Sequence, residues 1–430
     1  MKILIVTQYW FPENGVPQRR WQWLTQILAQ EGHEVTVIAP PPSYNEEIDR
    51  PTVISLNRHY VGKTQTGPSG ETIVRSGFAP ARKTLTSKIA SQAVGAGGQL
   101  RQVLRMVSPR CDNFDLVIGT VPALPTAFVT RVAALLLRAP YIIDLRDAWP
   151  DLLRNSEHWN SATGTKSLRA KLALLGPLQL TKAVTAWSIN HSLRYAAGVM
   201  VTTRGMKDEI LSDPRLRKAS NNVAVIRNVF PAQTYAQRRR DNAERGNALR
   251  VLYAGTAGRA QNLGNALRAV RIARSLGVDV QLRVVGAGDA RDRLEKLALQ
   301  EDIPVQFYET KPAADLSEFY GWADSALVHL TDWEPLERTI PSKTYELMAQ
   351  GIHITGVVSG EAAVLIQDMG AGDTVPPESP ELLAQLWVAI ARDRSRLAVS
   401  SVGTQWVRTQ REEVVPKRFL ELIEVARGIG

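Results

Sequence analysis

Lys2-Ile3-Leu4-Ile5-Val6-Thr7, the loop Phe11-Pro12-Glu13-Asn14-Gly15-Val16-Pro17, the stretch carrying Arg20, Leu24, Ile27 and Leu28, and Glu34-Val35-Thr36-Val37-Ile38-Ala39 together decide the fold. The first and last segments are short apolar runs of the kind that form buried strands, and the residues between them recur at helical spacing until Gly32 stops the helix. Pro40, Pro41 and Pro42 end the second strand. A strand, helix, strand unit this compact begins a parallel sheet covered by helices.

The same alternation continues outward. Asp115-Leu116-Val117-Ile118-Gly119 reads as a strand, a helix follows to about Arg138, and Tyr141-Ile142-Ile143-Asp144-Leu145 and Gly198-Val199-Met200-Val201-Thr202 read as further strands. Residues 43–110, rich in Gly, Ser, Lys and Arg, read as irregular. The pattern breaks near Ile226-Arg227-Asn228-Val229-Phe230-Pro231, and Arg238-Arg239-Arg240 with Asn247 reads as a solvated linker. A second series then runs: strand Leu249 to Ala254, helix Leu263 to Leu276, strand Val280 to Val285, helix Ala290 to Leu299, strand Val305 to Tyr308, helix Leu316 to Trp322, strand Ser325 to Leu330. The expectation is two doubly wound, Rossmann-like α/β domains, residues 1–228 and 229–410, facing each other across a ligand-holding cleft, with 411–430 packing back on the first.

The 430 residues suffice for two real cores, and one cysteine, Cys111, makes no internal disulfide. Six histidines without metal-ligand spacing, and no Asp-x-Asp pair, argue against a dedicated metal site. The N-terminal apolar run is too short for a signal peptide, and Pro122 and Pro125 interrupt the best candidate for a membrane span, so a cytoplasmic protein is expected, soluble or peripheral on a membrane. Of the net charge of +10, residues 1–228 contribute +12, from 28 Lys/Arg against 16 Asp/Glu. A one-sided basic surface suits a phosphate-rich partner, although solvated charge without a partner has the same composition.

Two segments carry chemistry. Gly255-Thr256-Ala257-Gly258-Arg259 follows a strand and reads as opening a helix, which offers backbone N–H groups and a guanidinium to an anion. It is neither Gly-x-Gly-x-x-Gly nor a P-loop, and plain turn chemistry explains it equally well. Sharper is Ile340-Pro341-Ser342-Lys343-Thr344-Tyr345-Glu346-Leu347-Met348-Ala349-Gln350-Gly351, read as a helix beginning at Pro341 and ended by Gly351. Ser342 and Lys343 then stand in its first turn, aimed at an anion, with Glu346 one turn on. A diphosphate at a helix N-terminus and a carboxylate accepting sugar hydroxyls hold a nucleotide diphosphate without a metal; an ordinary surface helix with proline at its start reads the same.

Over nearly its whole length the chain resembles glycosyltransferase family 4, the retaining GT-B transferases. The opening strand, the Pro12–Gly15 loop, Arg19, Gly32-His33-Glu34-Val35-Thr36-Val37, Ile226-Arg227-Asn228-Val229, and Tyr253-Ala254-Gly255 with Gly258 are similar to that family's motifs. Arg146-Asp147-Ala148-Trp149-Pro150 and Pro341-Ser342-Lys343 with Glu346 most resemble enzymes of bacterial surface-polysaccharide assembly. The resemblance implies a sugar donor bound as a nucleotide diphosphate, frequently UDP, with no other cofactor and no metal. It implies that Glu346 binds the ribose, that Arg259, Ser342 and Lys343 engage the phosphates with Gly255 and Gly258 in the donor loop, and that Gly15 lets the backbone approach the diphosphate. Arg19 and Arg146 join the substrate-binding set. Asp147 falls where many relatives place a catalytic histidine; as a helix N-cap or a partner of Arg146 it would need no catalytic role. One departure is Arg338, which stands where the family's Glu-x7-Glu pattern has an acid and is expected either to leave that role vacant or to add charge to the diphosphate site. Gly286-Ala287-Gly288 matches the family's glycine turn, for function or for tight geometry.

Retention implies attack by an acceptor hydroxyl on the face from which the nucleotide leaves. The implied partners are a lipid-linked sugar or glycan acceptor and an anionic inner-membrane surface, with no nucleic acid. Leu168 to Tyr195, where Arg169, Lys171, Lys182 and Arg194 flank Leu-rich clusters and Trp187, is read as the segment that docks there, or as a core helix. A nucleotide-sugar epimerase, a transferase acting on a small metabolite, and a non-catalytic nucleic-acid or membrane binder are the competing readings.

Overall fold

In the computed structural model, the described residues are 1–13, 15–42, 50–79, 85–107, 113–121, 124–148, 151, 177–216, 222–231 and 248–428. Cys111, Pro122, Trp149, Pro150, residues 168–176 and the Arg238–Arg240 linker lie outside them. The chain divides into two compact units, one holding the described residues up to Phe230 together with those from Glu413 on, the other Pro231–Glu412.

In the first unit the order is β1 (Lys2–Val6), α1 (Val16–Gln30), β2 (Glu34–Ala39), α2 (Arg50–Tyr60), β3 (Thr64–Thr66), β4 (Thr72–Arg75), α3 (Leu85–Met106), β5 (Leu116–Val121), α4 (Leu124–Leu137), β6 (Tyr141–Leu145), α5 (Pro177–Arg194), β7 (Gly198–Val201), α6 (Arg204–Ser212) and β8 (Val223–Val225). The sheet order is β3-β4-β2-β1-β5-β6-β7-β8, parallel except for β3. From β1 the chain winds out to β2 and β4, then crosses back to β5 on the other side, which makes the gap between β1 and β5 the topological switch point. The hydroxyls of Thr7 and Thr120 meet there at 3.2 Å. Leu4, Val6, Val117, Ile143 and Val199 on one sheet face pack with Val103, Ala133, Ile189 and Leu193 of α3, α4 and α5.

Residues 43–110, read as irregular, contain α2, the β3–β4 pair and the long helix α3. Helix α3 carries Gly95, Gly97 and Gly98 in its middle, residues that read in sequence as breaks, and it packs on α4. Strand β8, just before the break at Ile226, is an edge strand too short to have declared itself.

The second unit runs β9 (Leu249–Ala254), a short 3-10 turn at Arg259–Gln261, α7 (Gly264–Ser275), β10 (Val280–Val285), α8 (Arg291–Gln300), β11 (Val305–Tyr308), α9 (Ala313–Trp322), β12 (Ser325–His329), α10 (Glu334–Glu337), α11 (Ser342–Gln350), β13 (Ile354–Val357), α12 (Gly360–Asp368), β14 (Gly372–Val375), α13 (Pro380–Arg392) and α14 (Ser401–Thr409). Its sheet, β11-β10-β9-β12-β13-β14, is parallel throughout, with its switch point between β9 and β12. Trp387, fully buried, centres the core that α7 and α13 share with β9 and β10. A π-helical turn, Gln410–Val414, follows α14, and the last helix, α15 (Val415–Arg427), belongs to the first unit. There Phe419 meets Trp21 of α1 edge-on at 6.4 Å.

Candidate functional site

In the first unit the candidate residues lie at the start of α1 and just past β6. Gly15 caps α1 with extended backbone, and its carbonyl accepts the Arg19 amide at 3.0 Å. Arg19 lays its guanidinium over Phe230, 4.7 Å from the ring centroid. Arg146 and Asp147 follow the last residue of β6, Asp147 in a bend and partly exposed. The Arg146 side chain is buried, and its Nε and Nη2 have no hydrogen-bond partner among the described residues. Burial lowers its pKa, while Asp144 and Asp147 oppose that shift.

Beneath it lies a buried pair that the sequence reading missed. Arg20 Nη2 donates to Asp144 Oδ1 at 2.9 Å, with both side chains fully buried. Trp21 Nε1 donates to Asp144 Oδ2 at 2.9 Å, and Arg20 Nη1 donates to the Ile226 carbonyl at 2.8 Å and to Asn228 Oδ1 at 3.0 Å. One arginine on α1 thus fixes the end of β6 and the segment that leaves the unit. The available signal was an aspartate inside the apolar strand Tyr141–Leu145.

In the second unit the loop after β9 departs from expectation. No α-helix opens at Arg259; the 3-10 turn intervenes and α7 begins at Gly264. Two of the loop's amides are also committed, Gly255 N to Val285 O at 3.0 Å and Ala257 N to Ala287 O at 2.9 Å. The glycine turn explains this. Gly286 and Gly288 have φ of +139° and +159°, and a methyl group on either would collide with the carbonyls of Gly255 and Ala257. The loop bearing Gly255, Gly258 and Arg259 is therefore pressed against the β10 turn, a tight-geometry role for Gly286 and Gly288. On the other side the Thr331 amide donates to the Ala260 carbonyl at 2.8 Å, tying the Arg259 turn to the end of β12. His329, fully buried at that end, contacts Asn265 Nδ2 at 3.1 Å, and burial pushes its pKa down to about 4.

Helix α11 begins at Ser342, with Pro341 as its N-cap rather than its first residue, and Gly351 at φ +63° closes it. Lys343 Nζ donates to Tyr320 Oη at 2.9 Å and to Glu346 Oε2 at 3.2 Å. Tyr320, from α9, carries no motif and could not have been found by spacing. Burial works to lower the Lys343 pKa, but Tyr320 and Glu346 outweigh it and hold the ammonium above its ordinary range. Lys343 is thus charged at neutral pH and stands beside a carboxylate in the first turns of a helix. Arg338 Nη2 donates to Glu334 at 3.1 Å, an i,i+4 pair on and just past α10.

The description "glycosyl transferase 4-like domain" matches residues 15–229, and "glycosyl transferases group 1" matches residues 235–399. A sequence search among curated proteins finds no match. Among solved structures, sucrose-phosphate synthase from Thermosynechococcus elongatus superposes with a TM-score of 0.68 at 14% identity, covering 100% of both chains. Anabaena HepE, solved in complex with UDP, gives 0.62 at 15% identity over 99% of this chain and 100% of its own. The lipopolysaccharide outer core galactosyltransferase WaaB gives 0.57 at 13% over 98% and 99%. With half its length under the first family description and each unit a parallel α/β sheet, the chain belongs to the glycosyl transferase 4-like family, as a glycosyltransferase of GT-B fold.

Proposed function

We propose that the protein transfers a sugar from a UDP-sugar to a hydroxyl of a lipid-linked or polysaccharide acceptor, with retention at the anomeric carbon. The Lys343–Tyr320–Glu346 cluster at the start of α11 carries this reading, because it sets a permanent cation and a carboxylate one helical turn apart. Those are the two chemistries a nucleotide diphosphate needs: charge for its phosphates, and an acceptor for its ribose hydroxyls. The UDP in the HepE structures, one of them with UDP-glucose, supports the choice of nucleotide. Lys343 turns to the phosphates when the donor binds, and Glu346, released from it, accepts the ribose hydroxyls. Ser342 and Arg259 add donors to the diphosphate, and the Gly255–Gly258 loop and Gly15 allow close backbone approach.

In the transfer the acceptor oxygen bonds to the anomeric carbon on the face from which UDP leaves. The bond from that carbon to the β-phosphate oxygen breaks, and the acceptor's proton passes to the departing phosphate. No protein nucleophile is required. The chain's contribution is geometry and the stabilisation of negative charge on the leaving phosphate by Arg259, Lys343, Ser342 and the dipole of α11. Asp147 serves the reacting end, and the open donors of Arg146 bind substrate. In this reading no metal is needed, since those cations already offset the diphosphate charge. The test is product analysis with UDP-sugars and a lipid-linked acceptor in EDTA. A retained glycosidic linkage is expected, whereas epimerised donor without acceptor, or turnover lost with EDTA, would replace the proposal.

A further inference from the structure

Four residues other than glycine hold a positive φ among the described residues, and two of them meet. Asn262, at +35°, closes the 3-10 turn that carries Arg259, and Glu378, at +55°, stands between β14 and α13. Asn262 Nδ2 donates to both carboxylate oxygens of Glu378, each at 2.9 Å, and Thr331 Oγ1 donates to Glu378 Oε1 at 2.6 Å. Thr331 also holds the turn directly, through its amide on the Ala260 carbonyl. The turn itself is closed by the Asn262 amide on the Arg259 carbonyl at 3.3 Å. A ring of hydrogen bonds thus lies just past the C-terminal ends of β9, β12 and β14, with the Arg259 turn as one of its sides.

Backbone geometry does not ask for a long acid at position 378. Left-handed backbone suits Gly, Asn or Asp, and a glutamate there is strained. Pro376, Pro377 and Pro380 stiffen the chain on both sides, and the Ser379 hydroxyl donates to the Pro377 carbonyl at 3.1 Å. What glutamate supplies is reach. Strand β14 is the edge of its sheet, yet the Glu378 carboxylate holds residues that follow β12 and β9, on the far side of β13.

We infer that Glu378 is a positioning residue of the nucleotide site: by gripping Asn262 and Thr331 it fixes the turn from which Arg259 meets the diphosphate. The inference rests on the reading that Arg259 engages the phosphates. The carboxylate, itself repelled by a diphosphate, acts through the turn and not by contact. Without it the Thr331 amide alone ties the turn to β12, and the ordering of Arg259 is charged to ligand binding instead of being built in beforehand.

The test is calorimetric titration of UDP into the full chain, with melting temperatures alongside. Glu378→Gly adopts the same φ without strain and removes the carboxylate. Its melting temperature should stay near the parent's while the UDP dissociation constant rises about tenfold, the order of one charge-assisted hydrogen bond. Asn262→Gly, which keeps the left-handed position and removes the other end of the bridge, should weaken UDP to the same extent. Glu378→Gln, whose amide oxygen accepts at the same reach, should recover most of the affinity. In an Arg259→Ala background Glu378→Gly should cost nothing further, because its effect passes through Arg259. Parent affinity in Glu378→Gly, an equal loss in both backgrounds, or a loss that follows a lowered melting temperature would overturn the inference while leaving UDP binding in place. A parent that binds no UDP, or Arg259→Ala binding it as the parent does, would overturn the reading beneath and the inference with it.

Discussion

Asp144 and Asp147 flank the end of one strand with opposite surroundings. Asp144 is fully buried and ion-paired with Arg20, so Asp144→Asn leaves a buried guanidinium without its counter-charge and should cost about 3–5 kcal/mol in chemical unfolding. Asp147 is partly exposed beyond the strand, so Asp147→Asn should keep the parent's stability and donor affinity and lose turnover; unchanged kinetics would remove it from the reacting end. Glu346→Ala should abolish nucleotide binding, and Lys343→Ala should lower kcat by ~10²–10³, as expected for one donor lost to a developing oxyanion. His329 adds a pH signature. Its folded pKa of about 4 lies below the unfolded value near 6.5, so between those pH values the unfolded chain binds the extra proton. Stability should therefore fall by ~1.4 kcal/mol per unit as pH drops through that window. Urea unfolding should show His329→Gln to have lost that part of the slope. The helix-start pattern pointed to Lys343 and Glu346 and the family resemblance to Asp147; Tyr320 and Arg20 were hidden, because what marks them is their partners in space, not their neighbours in sequence.

Elements were legible where hydrophobic period was strong. Both central strands, β1 and β9, and the helices after them were readable because parallel strands buried on both faces are continuous apolar runs. Helix α3 and the β3–β4 pair escaped, being rich in Gly, Gln and Thr and held by tertiary packing. The series also continues beyond Leu330 through β13 and β14, strands of four residues each whose period is too short to register. The loop after β9 was legible as a glycine-rich turn but not in its packing: its amides are partly used by the β10 turn, and the crowded glycines Gly286 and Gly288 make that possible. Gly286→Ala should accordingly push the Gly255 loop outward, destabilising the second unit by about 1–3 kcal/mol and weakening nucleotide affinity in calorimetric titration. Parent-like affinity would show that the loop's position does not matter to the ligand.

At the scale of the whole molecule, the two parallel α/β units, the family match and the charge division belong together. The first unit's residues 1–228 carry the basic excess, and the second unit carries the Lys343–Tyr320–Glu346 cluster at α11 that is proposed to hold the nucleotide. The central claim is that this cluster binds a UDP-sugar through side chains alone, and titration calorimetry of UDP into the full chain in EDTA tests it most directly. Saturable one-site binding is expected in the parent and none in Glu346→Ala at the same folded signal; parent and variant binding UDP alike, or binding only after a divalent metal is restored, would contradict it.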